Sequence, residues 1–183
     1  MEALIDAPMR LPVAKTEFRD AMARLAAAVS VITSDGPSGL AGCTATAVCS
    51  VTDDPPTLLV CINRASRNNQ ALRDNGRLCV NVLGADQQEI GQCFADGTLS
   101  VADRFAAVSW LRDADGQPAL ADAGVSIGCD ISQITEVGSH SVFFCTVTAV
   151  RVGDDRGALL YLGRDFHEIA RQSVTSDGPR NGG

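Results

Sequence analysis

The sequence lacks the features that membrane-spanning and secreted proteins require. No apolar run in its 183 residues approaches the roughly 18–20 residues that a membrane span needs. The start of the chain, MEALIDAPMRLPVAKTEF, carries acidic residues and prolines where a signal peptide has a basic start and an apolar block. We therefore expect a cytoplasmic protein that does not associate with membranes.

Histidine and positive charge are also scarce. The chain contains two histidines, His140 and His167, so a zinc cluster with histidine ligands is not expected and we predict no metal site. The net charge of −7 argues against a protein that binds nucleic acid by neutralising phosphates. No nucleic-acid partner is therefore predicted.

Cysteine is present, but not in the patterns that build metal sites or redox motifs. The seven cysteines are spread along the chain, are odd in number and lie mostly inside apolar runs, and no Cys-x-x-Cys pair occurs. We interpret them as buried, reduced thiols that pack as small hydrophobic side chains.

The remaining composition is typical of one globular domain. Hydrophobic residues make up 45% of the chain and charged residues 20%, and the length is sufficient for a real core. We predict a loose N-terminal arm over residues 1–15, a single domain over residues 16–171 and a flexible polar tail over residues 172–183.

Strand and turn signals predict a mainly β fold with short helices. The stretch VSVITSDGPSGLAGCTATAV predicts a hairpin with an Asp-Gly-Pro turn, and Thr57–Asn63 predicts a strand buried on both sides. Thr16 is a candidate helix cap, and residues 86–95 and 100–107 have helical patterns. Many short strands without regular βαβ alternation indicate a closed or split antiparallel barrel with an inserted helical hairpin.

One predicted strand has an unusual composition. In GCTATAVCSVTDDPP, residues 42–56, small hydroxyl side chains alternate with Cys, Ala and Val. The hydroxyl face would carry Thr44, Thr46, Ser50 and Thr52, interrupted by Val48. A solvated face usually also carries Lys, Glu or Gln, so this row predicts a surface that a ligand approaches closely.

A candidate anion site follows one strand later. Ser66 is placed to cap a short helix that Gly76 would end, and Arg64 and Arg67 flank the start of that helix. A helix N-terminus offers N–H groups and partial positive charge, which suit a phosphate. With the hydroxyl row, this arrangement suits a flat cofactor with a polar edge and a phosphate tail. The alternative is that Ser66 caps the helix with nothing bound.

Two further segments contain candidate functional residues. His140 follows Gly138 in a predicted tight turn, where either a solvated or a functional histidine fits. In YLGRDFHEI, the side chains of Tyr161, Arg164 and Phe166 either cover a site or belong to a core strand with a solvated arginine.

Several blocks of the chain resemble one family in order. The stretch FRDAMARLAAAVSVITSDGPSGLAGCTATAVCSVTDDPPTLLVCINRAS closely resembles the N-terminal half of the short-chain NAD(P)H:flavin reductases. The blocks LCVNVL, RFA, VGSHSVFF and LLYLGRDFH resemble later parts of that family, and the likeness covers roughly residues 17–169. These proteins are reductase components of two-component flavin monooxygenases. The sequence looks especially like the reductases that serve 4-hydroxyphenylacetate and chlorophenol hydroxylases, and the reductase of pyrimidine-ring cleavage is also similar.

The resemblance implies a fold, cofactors and partners. It implies an FMN-binding split β-barrel of Greek-key type, a single domain and a homodimer. It further implies NADH, with NADPH as the other candidate, and FMN or FAD. Reduced flavin would diffuse to a separate monooxygenase that hydroxylates an aromatic or heterocyclic substrate. The alternative is a non-catalytic FMN carrier or sensor of the same fold. A pyridoxamine-phosphate oxidase activity is disfavoured because the extra basic residues for a phosphorylated substrate are missing.

Carried over residue by residue, the resemblance also implies a site. The residues that would line the flavin are Thr44, Ala45, Thr46, Ser50 and Val51. Those that would meet or lie near its ribityl–phosphate part are Asn63, Ser66, Asn69 and Asn81, and Arg67 joins them because it flanks the helix start. His140 matches the family's Gly-x-His turn, where it would position the nicotinamide. That turn is often Gly-Asp-His, whereas this chain has Ser139, so the carboxylate that would orient the histidine is absent at that position.

Overall fold

The computed structural model describes residues 11–171. The predicted arm lies outside the described residues up to residue 10, and the predicted tail, residues 172–183, lies entirely outside them. The described part of the chain contains four helices and twelve strands, which confirms a mainly β fold with short helices.

The elements have the following bounds. The helices are α1 (Lys15–Met22), α2 (Arg67–Asn75), α3 (Gln88–Ala95) and α4 (Val101–Ala106). The strands are β1 (Ala27–Ala28), β2 (Ser30–Ser34), β3 (Ala41–Ala45), β4 (Val48–Asp53), β5 (Pro56–Asn63), β6 (Arg77–Val82), β7 (Trp110–Arg112), β8 (Pro118–Leu120), β9 (Val125–Val137), β10 (His140–Val152), β11 (Ala158–Leu162) and β12 (Asp165–Ile169).

Seven strands form one antiparallel sheet in the order β3-β2-β6-β9-β10-β5-β4. Its two edge strands, β3 and β4, are consecutive in the chain and are joined by Thr46 and Ala47 alone. In a flat sheet these edges would lie about 29 Å apart, at about 4.8 Å between neighbouring strands. The connection can span only about 10 Å. The sheet therefore curls until its two edges approach each other, but β3 and β4 do not pair and the sheet stays open between them. This is the predicted split barrel. Two small sheets, β1-β11-β12 and β7-β8, complete the fold.

The curled sheet has a core on each side of β2. Ile32 belongs to the cluster inside the barrel, with Val60 and Phe143. Val31 points to the other side, where a second cluster includes Phe94 of α3. All five residues of β2 are buried because both faces are covered. In β5, by contrast, one chain fully buries only the inward residues, so the prediction of a strand buried on both sides is wrong for the single chain. The two strands differ because the helix that covers the outer face of β2, α3, packs on β2 and β3 rather than on β5.

Local capping signals explain most of the helix boundaries. α2 begins after Ser66 and ends at Gly76, whose φ of +69° is the left-handed conformation that glycine adopts readily. α3 and α4 confirm the two helices predicted over 86–95 and 100–107. The predicted cap at Thr16 is wrong, because α1 begins earlier and Ala14 occupies the cap position without a side-chain hydrogen bond. Among residues 11–171, no helix is long and apolar enough to cross a bilayer.

The hydroxyl-bearing segment forms two strands rather than one. β3 pairs with β2 and β4 pairs with β5, so Thr44 and Ser50 lie at opposite edges of the sheet. A register shift between Ser50 and Thr52 also turns these two side chains to opposite faces, since their partners are the adjacent residues Leu58 and Thr57. The prediction of one continuous hydroxyl face is therefore wrong, because the chain must break after β3 to reach the other edge.

Candidate functional site

The start of α2 largely satisfies its own N–H groups. Ser66 Oγ accepts a hydrogen bond from the N–H of Asn68 at 3.3 Å, and Asn63 Oδ1 accepts one from the N–H of Ala65 at 2.9 Å. The N–H groups of Ser66 and Asn69 donate to the carbonyls of Asn63 and Ser66. The predicted cap at Ser66 is confirmed, and the helix start offers fewer free donors than an uncapped one.

Three donors nevertheless remain at this helix start. Within residues 11–171, the backbone N–H and the guanidinium of Arg67 have no hydrogen-bond or ion-pair partner, and neither has the side-chain Nδ2 of Asn63. Both residues are exposed. Asn68 Oδ1 accepts a hydrogen bond from the N–H of Gly42 at 3.1 Å, which holds β3 against α2. Arg67 and Asn63 are therefore the residues here that can hold a phosphate.

His140 lies directly opposite Asn63 on the neighbouring strand. β10 pairs with β5 in the register His140↔Asn63, which puts the two Cα atoms about 5 Å apart. Gly138 and Ser139 form the two-residue turn before His140, with Gly138 at a φ of +56°. Ser139 Oγ lies 3.0 Å from His140 Nδ1. The serine thus contacts the ring where the family's carboxylate would stand, and Nε2 has no partner in the described part of the chain.

The residues predicted to line a flavin differ in how accessible they are. Thr44 is partly buried, and its hydroxyl donates to the carbonyl of Gly91 in α3 at 2.6 Å. Ala45 is buried. Thr46, Ser50 and Val51 are exposed, so these three present a free surface and Thr44 is occupied by the fold.

Asn81, predicted to lie near the phosphate part of the ligand, is fully buried and saturated with hydrogen bonds. Its Nδ2 donates to the carbonyl of Val31 and to the hydroxyl of Thr33, each at 3.0 Å. Its Oδ1 accepts hydrogen bonds from the N–H of Leu120 at 2.7 Å and from the hydroxyl of Ser126 at 3.1 Å. Asn81 therefore ties β6 to its neighbours and has no atom left for a ligand, which corrects the role predicted for it.

Asn69 is likewise a structural residue in this fold. Its Nδ2 donates to the carbonyl of Ile62 at 3.1 Å and to Ser141 Oγ at 2.9 Å, and its Oδ1 accepts a hydrogen bond from Arg73 Nε at 2.9 Å. These bonds fasten α2 to β5 and β10. The predicted direct contact with the ligand is corrected accordingly, because the side chain is buried and turned towards the sheet.

A cleft of about 620 Å³ lies beside Thr46 and Ala47, where the chain crosses from β3 to β4. Its other walls come from α1, the segment between α1 and β1, β1 itself, β11 and the turn after β11: Arg19, Met22, Ala23, Leu25, Ala27, Tyr161 and Arg164. Arg164 is ion-paired with Asp20 of α1. Tyr161 and Arg164 of the YLGRDFHEI segment thus line a cleft next to the hydroxyl-bearing segment. Apolar walls with cationic side chains suit a flat aromatic ring that has a polar edge.

Sequence reasoning missed a charged cluster beneath His140. Glu136 is ion-paired with Arg64 at 2.9 Å and with Arg73, and it accepts a hydrogen bond from Ser141. Arg64 was expected to flank an anion site, but its guanidinium faces Glu136. The closeness of Glu136 to His140 in the sequence was the available signal, but the arginine partners come from elements that only the fold brings near.

The chemistry of this region is that of binding and positioning. In the described part of the chain, no group of three or more His, Cys, Asp or Glu side chains could hold a metal ion. Burial raises the pKa of Cys61, two residues before Asn63 in β5, so this thiol stays protonated. Donor groups, small hydroxyls and one histidine suit a bound cofactor that itself carries the chemistry.

Comparison with known proteins identifies the family. The flavin reductase like domain matches residues 22–170. The chain is 50% identical over 159 residues to the FMN reductase (NADH) RutF of Stutzerimonas stutzeri strain A1501, covering 87% of this chain and 91% of that protein.

Solved structures agree with that match. A Haemophilus somnus protein assigned as a flavin reductase superposes with a TM-score of 0.82 at 41% identity, over 86% of this chain and 100% of that one. BorF, the flavin reductase component of a bacterial two-component tryptophan halogenase, superposes with a TM-score of 0.81 at 28% identity, over 87% and 100% of the two chains. The chain therefore belongs to the flavin reductase like family, as its sequence blocks predicted.

Proposed function

We propose that this protein is an NADH-dependent FMN reductase whose reduced flavin leaves for a separate monooxygenase. The observation that carries the proposal is the 50% identity to an FMN reductase (NADH), which covers 87% of this chain and 91% of that protein. BorF, with the same fold, is the reductase component of a two-component enzyme, which supports delivery to a partner. The partner's substrate would be an aromatic or heterocyclic compound.

The exposed donors at the start of α2 fit the flavin phosphate. Within residues 11–171, the Arg67 N–H and guanidinium and the Asn63 Nδ2 have no partner, and charge-assisted hydrogen bonds to phosphate are the strong ones. Ser66 holds the helix start in shape through its bond to Asn68. In this proposal Ser66 orders the phosphate site, and Arg67 and Asn63 bind the anion.

The cleft beside Thr46 fits the ring system of the flavin. Thr46 is exposed on that cleft and supplies a hydroxyl for the carbonyls and nitrogens of a dehydrated ring edge, which would otherwise lose hydrogen bonds to water. Tyr161 supplies aromatic area and Arg164 supplies positive charge. FMN, when bound, accepts a hydride from NADH and then carries both electrons away.

His140 would orient the nicotinamide. Its register partner is Asn63, so a nicotinamide beside the imidazole would lie near the flavin-binding segment. Hydride transfer needs no general base, and reactant orientation supplies much of the rate enhancement in such steps. We propose NADH rather than NADPH, because no arginine can be assigned to a 2′-phosphate, and FMN rather than FAD because the named relative is an FMN reductase.

We also propose a homodimer. The outward side of the β4-β5-β10 part of the sheet carries apolar side chains that one chain leaves accessible: Val51 is 48% exposed, and Leu59, Cys61 and Phe144 are only half-buried. Such a surface suits a second copy of the chain. Val51→Asp should yield a monomer in light scattering coupled to size exclusion. Val101→Asp, at an exposed apolar position on α4, should leave the dimer intact; dimers in both variants would contradict this surface.

Anaerobic mixing with FMN and NADH tests the proposed activity. Loss of the oxidised-flavin absorbance, with one NADH consumed per FMN in excess over protein, is the expected result. FAD and NADPH serve as comparison substrates. Protein that stays yellow through dialysis but does not reduce FMN would instead be a carrier, and the enzyme proposal would be wrong.

A further inference from the structure

Glu136 is the hub of a charged cluster that joins α2 to the β9–β10 hairpin. One of its carboxylate oxygens pairs with Arg64 Nε at 2.9 Å and the other with Arg73 Nη2. Both oxygens also accept hydrogen bonds from Ser141 Oγ, at 3.3 and 3.2 Å. Two arginines from the segment around α2 therefore converge on one carboxylate of the hairpin.

The two arginines are held differently. Arg73 is fixed from several sides, by Asn69 Oδ1 at 2.9 Å, by Ser141 Oγ at 2.8 Å and by the face of Phe143 at 5.8 Å from its ring centroid. Among the described residues, Arg64 has one carboxylate partner, Glu136, and its side chain is 55% exposed. Glu136 therefore determines where the Arg64 guanidinium lies.

Arg64 in turn clamps the turn that carries His140. Its Nη1 donates to the carbonyl of Gly138 at 3.4 Å, and its backbone N–H donates to the carbonyl of Ser139 at 2.9 Å. These are the two residues of the hairpin loop, and Ser139 also contacts the His140 ring. A continuous chain of contacts thus leads from Glu136 through Arg64 and the loop to His140.

We propose that Glu136 is a positioning residue for hydride transfer, acting on the nicotinamide-side His140 through Arg64 and the Gly138–Ser139 loop. The proposal rests on the proposed NADH:flavin reductase function, since it assigns a further residue to that site. Because the Arg64 guanidinium pairs with Glu136, we do not assign Arg64 to the phosphate even though it precedes α2.

If Glu136 contributed only to the stability of the fold, replacing it would not change how the enzyme uses NADH. The Arg64–Glu136 pair is exposed, at 55% and 41% of the two side chains, and exposed ion pairs add little to stability. Asp130 offers a matched control, because it lies on the same strand, pairs with Arg77 at 2.8 Å and is 47% exposed. Glu136→Gln and Asp130→Asn each remove one carboxylate charge from β9 without changing the shape of the side chain.

The first test is kinetic. Glu136→Gln should lower kcat/KM for NADH by about threefold to tenfold and change the FMN dissociation constant by less than about twofold. Asp130→Asn should change neither. In a His140→Ala background, Glu136→Gln should produce no further loss, because its effect passes through that ring. Any of three results would overturn the proposal. They are a further loss of kcat/KM when Glu136→Gln is added to His140→Ala, an equal loss of kcat/KM in Asp130→Asn, or a loss of FMN affinity in Glu136→Gln that parallels its loss of kcat/KM.

The second test does not depend on catalysis. The chain has two histidines, so the histidine ring C–H signals in its NMR spectrum come from His140 and His167 alone, and His140→Ala assigns them. Glu136→Gln should shift or broaden the His140 signals and leave those of His167 unchanged, whereas Asp130→Asn should affect neither. An unmoved His140 signal overturns the proposal even if turnover falls. Wild-type protein that fails to reduce FMN overturns the proposed function, and the spectra still report whether Glu136 positions the ring.

Discussion

The hydroxyl oxygen of Ser139 lies 3.0 Å from Nδ1 of His140, at the tip of the hairpin that faces Asn63. A hydroxyl can donate to or accept from that nitrogen, whereas a carboxylate would favour the charged ring. The contact therefore fixes the direction of the imidazole. An imidazole held in this direction fits the role proposed for it, which is to orient the nicotinamide.

Replacing His140 should separate the two nucleotide-binding steps. His140→Ala should lower kcat/KM for NADH by about 10–100-fold, the scale of a lost orienting contact, and leave the FMN dissociation constant nearly unchanged. Steady-state kinetics and a fluorescence titration with FMN measure the two quantities. His167→Ala is the control, since that ring is exposed and its one hydrogen bond within residues 11–171 is to the Leu162 carbonyl at 3.0 Å. Equal losses of FMN affinity and turnover would place His140 in the flavin site instead.

Removing the phosphate donors should weaken flavin binding. Ser66→Ala with Arg67→Ala loses the helix cap and the Arg67 guanidinium, which has no partner within residues 11–171. A hydrogen bond to a charged group is worth about 1.5–3 kcal/mol, so the FMN dissociation constant should rise roughly tenfold to a hundredfold.

The control for the double variant removes a helix N-cap elsewhere in the fold, so it measures the effect of losing a cap alone. Ser100 caps α4 in the same way, with its Oγ accepting from the Asp103 N–H at 3.1 Å. Ser100→Ala should lower thermal stability by a similar amount and leave FMN binding intact. Unchanged FMN affinity in the Ser66→Ala, Arg67→Ala protein would remove the phosphate-site assignment.

Local signals predicted much of the fold. Ser66 and Gly76 fixed both ends of α2 through their backbone chemistry, and the Asp-Gly-Pro turn fixed the β2–β3 hairpin. The Gly138–Ser139 turn likewise set His140 at the start of β10. Each of these features depends on residues a few positions apart, so the sequence pattern contains it.

Long-range contacts could not be predicted in the same way. The period-two pattern of residues 42–52 predicts one strand, but the curled sheet requires a break between Ala45 and Val48 to join its two edges. Asn69 and Asn81 resemble ligand-binding amides in sequence, yet distant partners satisfy much of their hydrogen bonding: Ser141 lies 72 positions from Asn69 and Leu120 lies 39 positions from Asn81. A single sequence does not distinguish an amide that binds backbone from one that binds a cofactor.

The buried thiols should make stability fall in alkali. Burial raises the pKa of Cys79, Cys129 and Cys145 from 9.0 to about 12. Below pH 9 both states hold these protons, so the full stability is present. Between pH 9 and 12 the unfolded chain loses protons that the folded chain keeps, so the free energy of unfolding falls by up to about 1.4 kcal/mol per pH unit for each thiol.

Denaturant titrations between pH 8 and 11 measure this slope. Cys145→Ala should reduce the slope of the free energy of unfolding against pH by about the contribution of one thiol, even though the variant is less stable at every pH. Cys49→Ser is the control, because that thiol is exposed and contributes no burial. A slope that Cys145→Ala leaves unchanged would contradict the role assigned to the buried thiols.

Thr44 and Thr46 are two residues apart, yet they should respond in opposite ways to the same substitution. The Thr44 hydroxyl donates to the Gly91 carbonyl at 2.6 Å, whereas Thr46 is exposed on the cleft beside β1 and β11. Thr44→Val should lower stability by about 1 kcal/mol, the usual net value of one hydrogen bond, and leave FMN affinity in the folded protein unchanged. Thr46→Val should leave stability unchanged and weaken FMN binding by roughly fivefold to tenfold, because a polar atom of the ring would lose its partner. Thermal melts and FMN titrations of the two variants give a complete two-by-two comparison. If Thr46→Val binds and reduces FMN as the wild type does, this segment does not contact the flavin, and the small hydroxyls need another explanation.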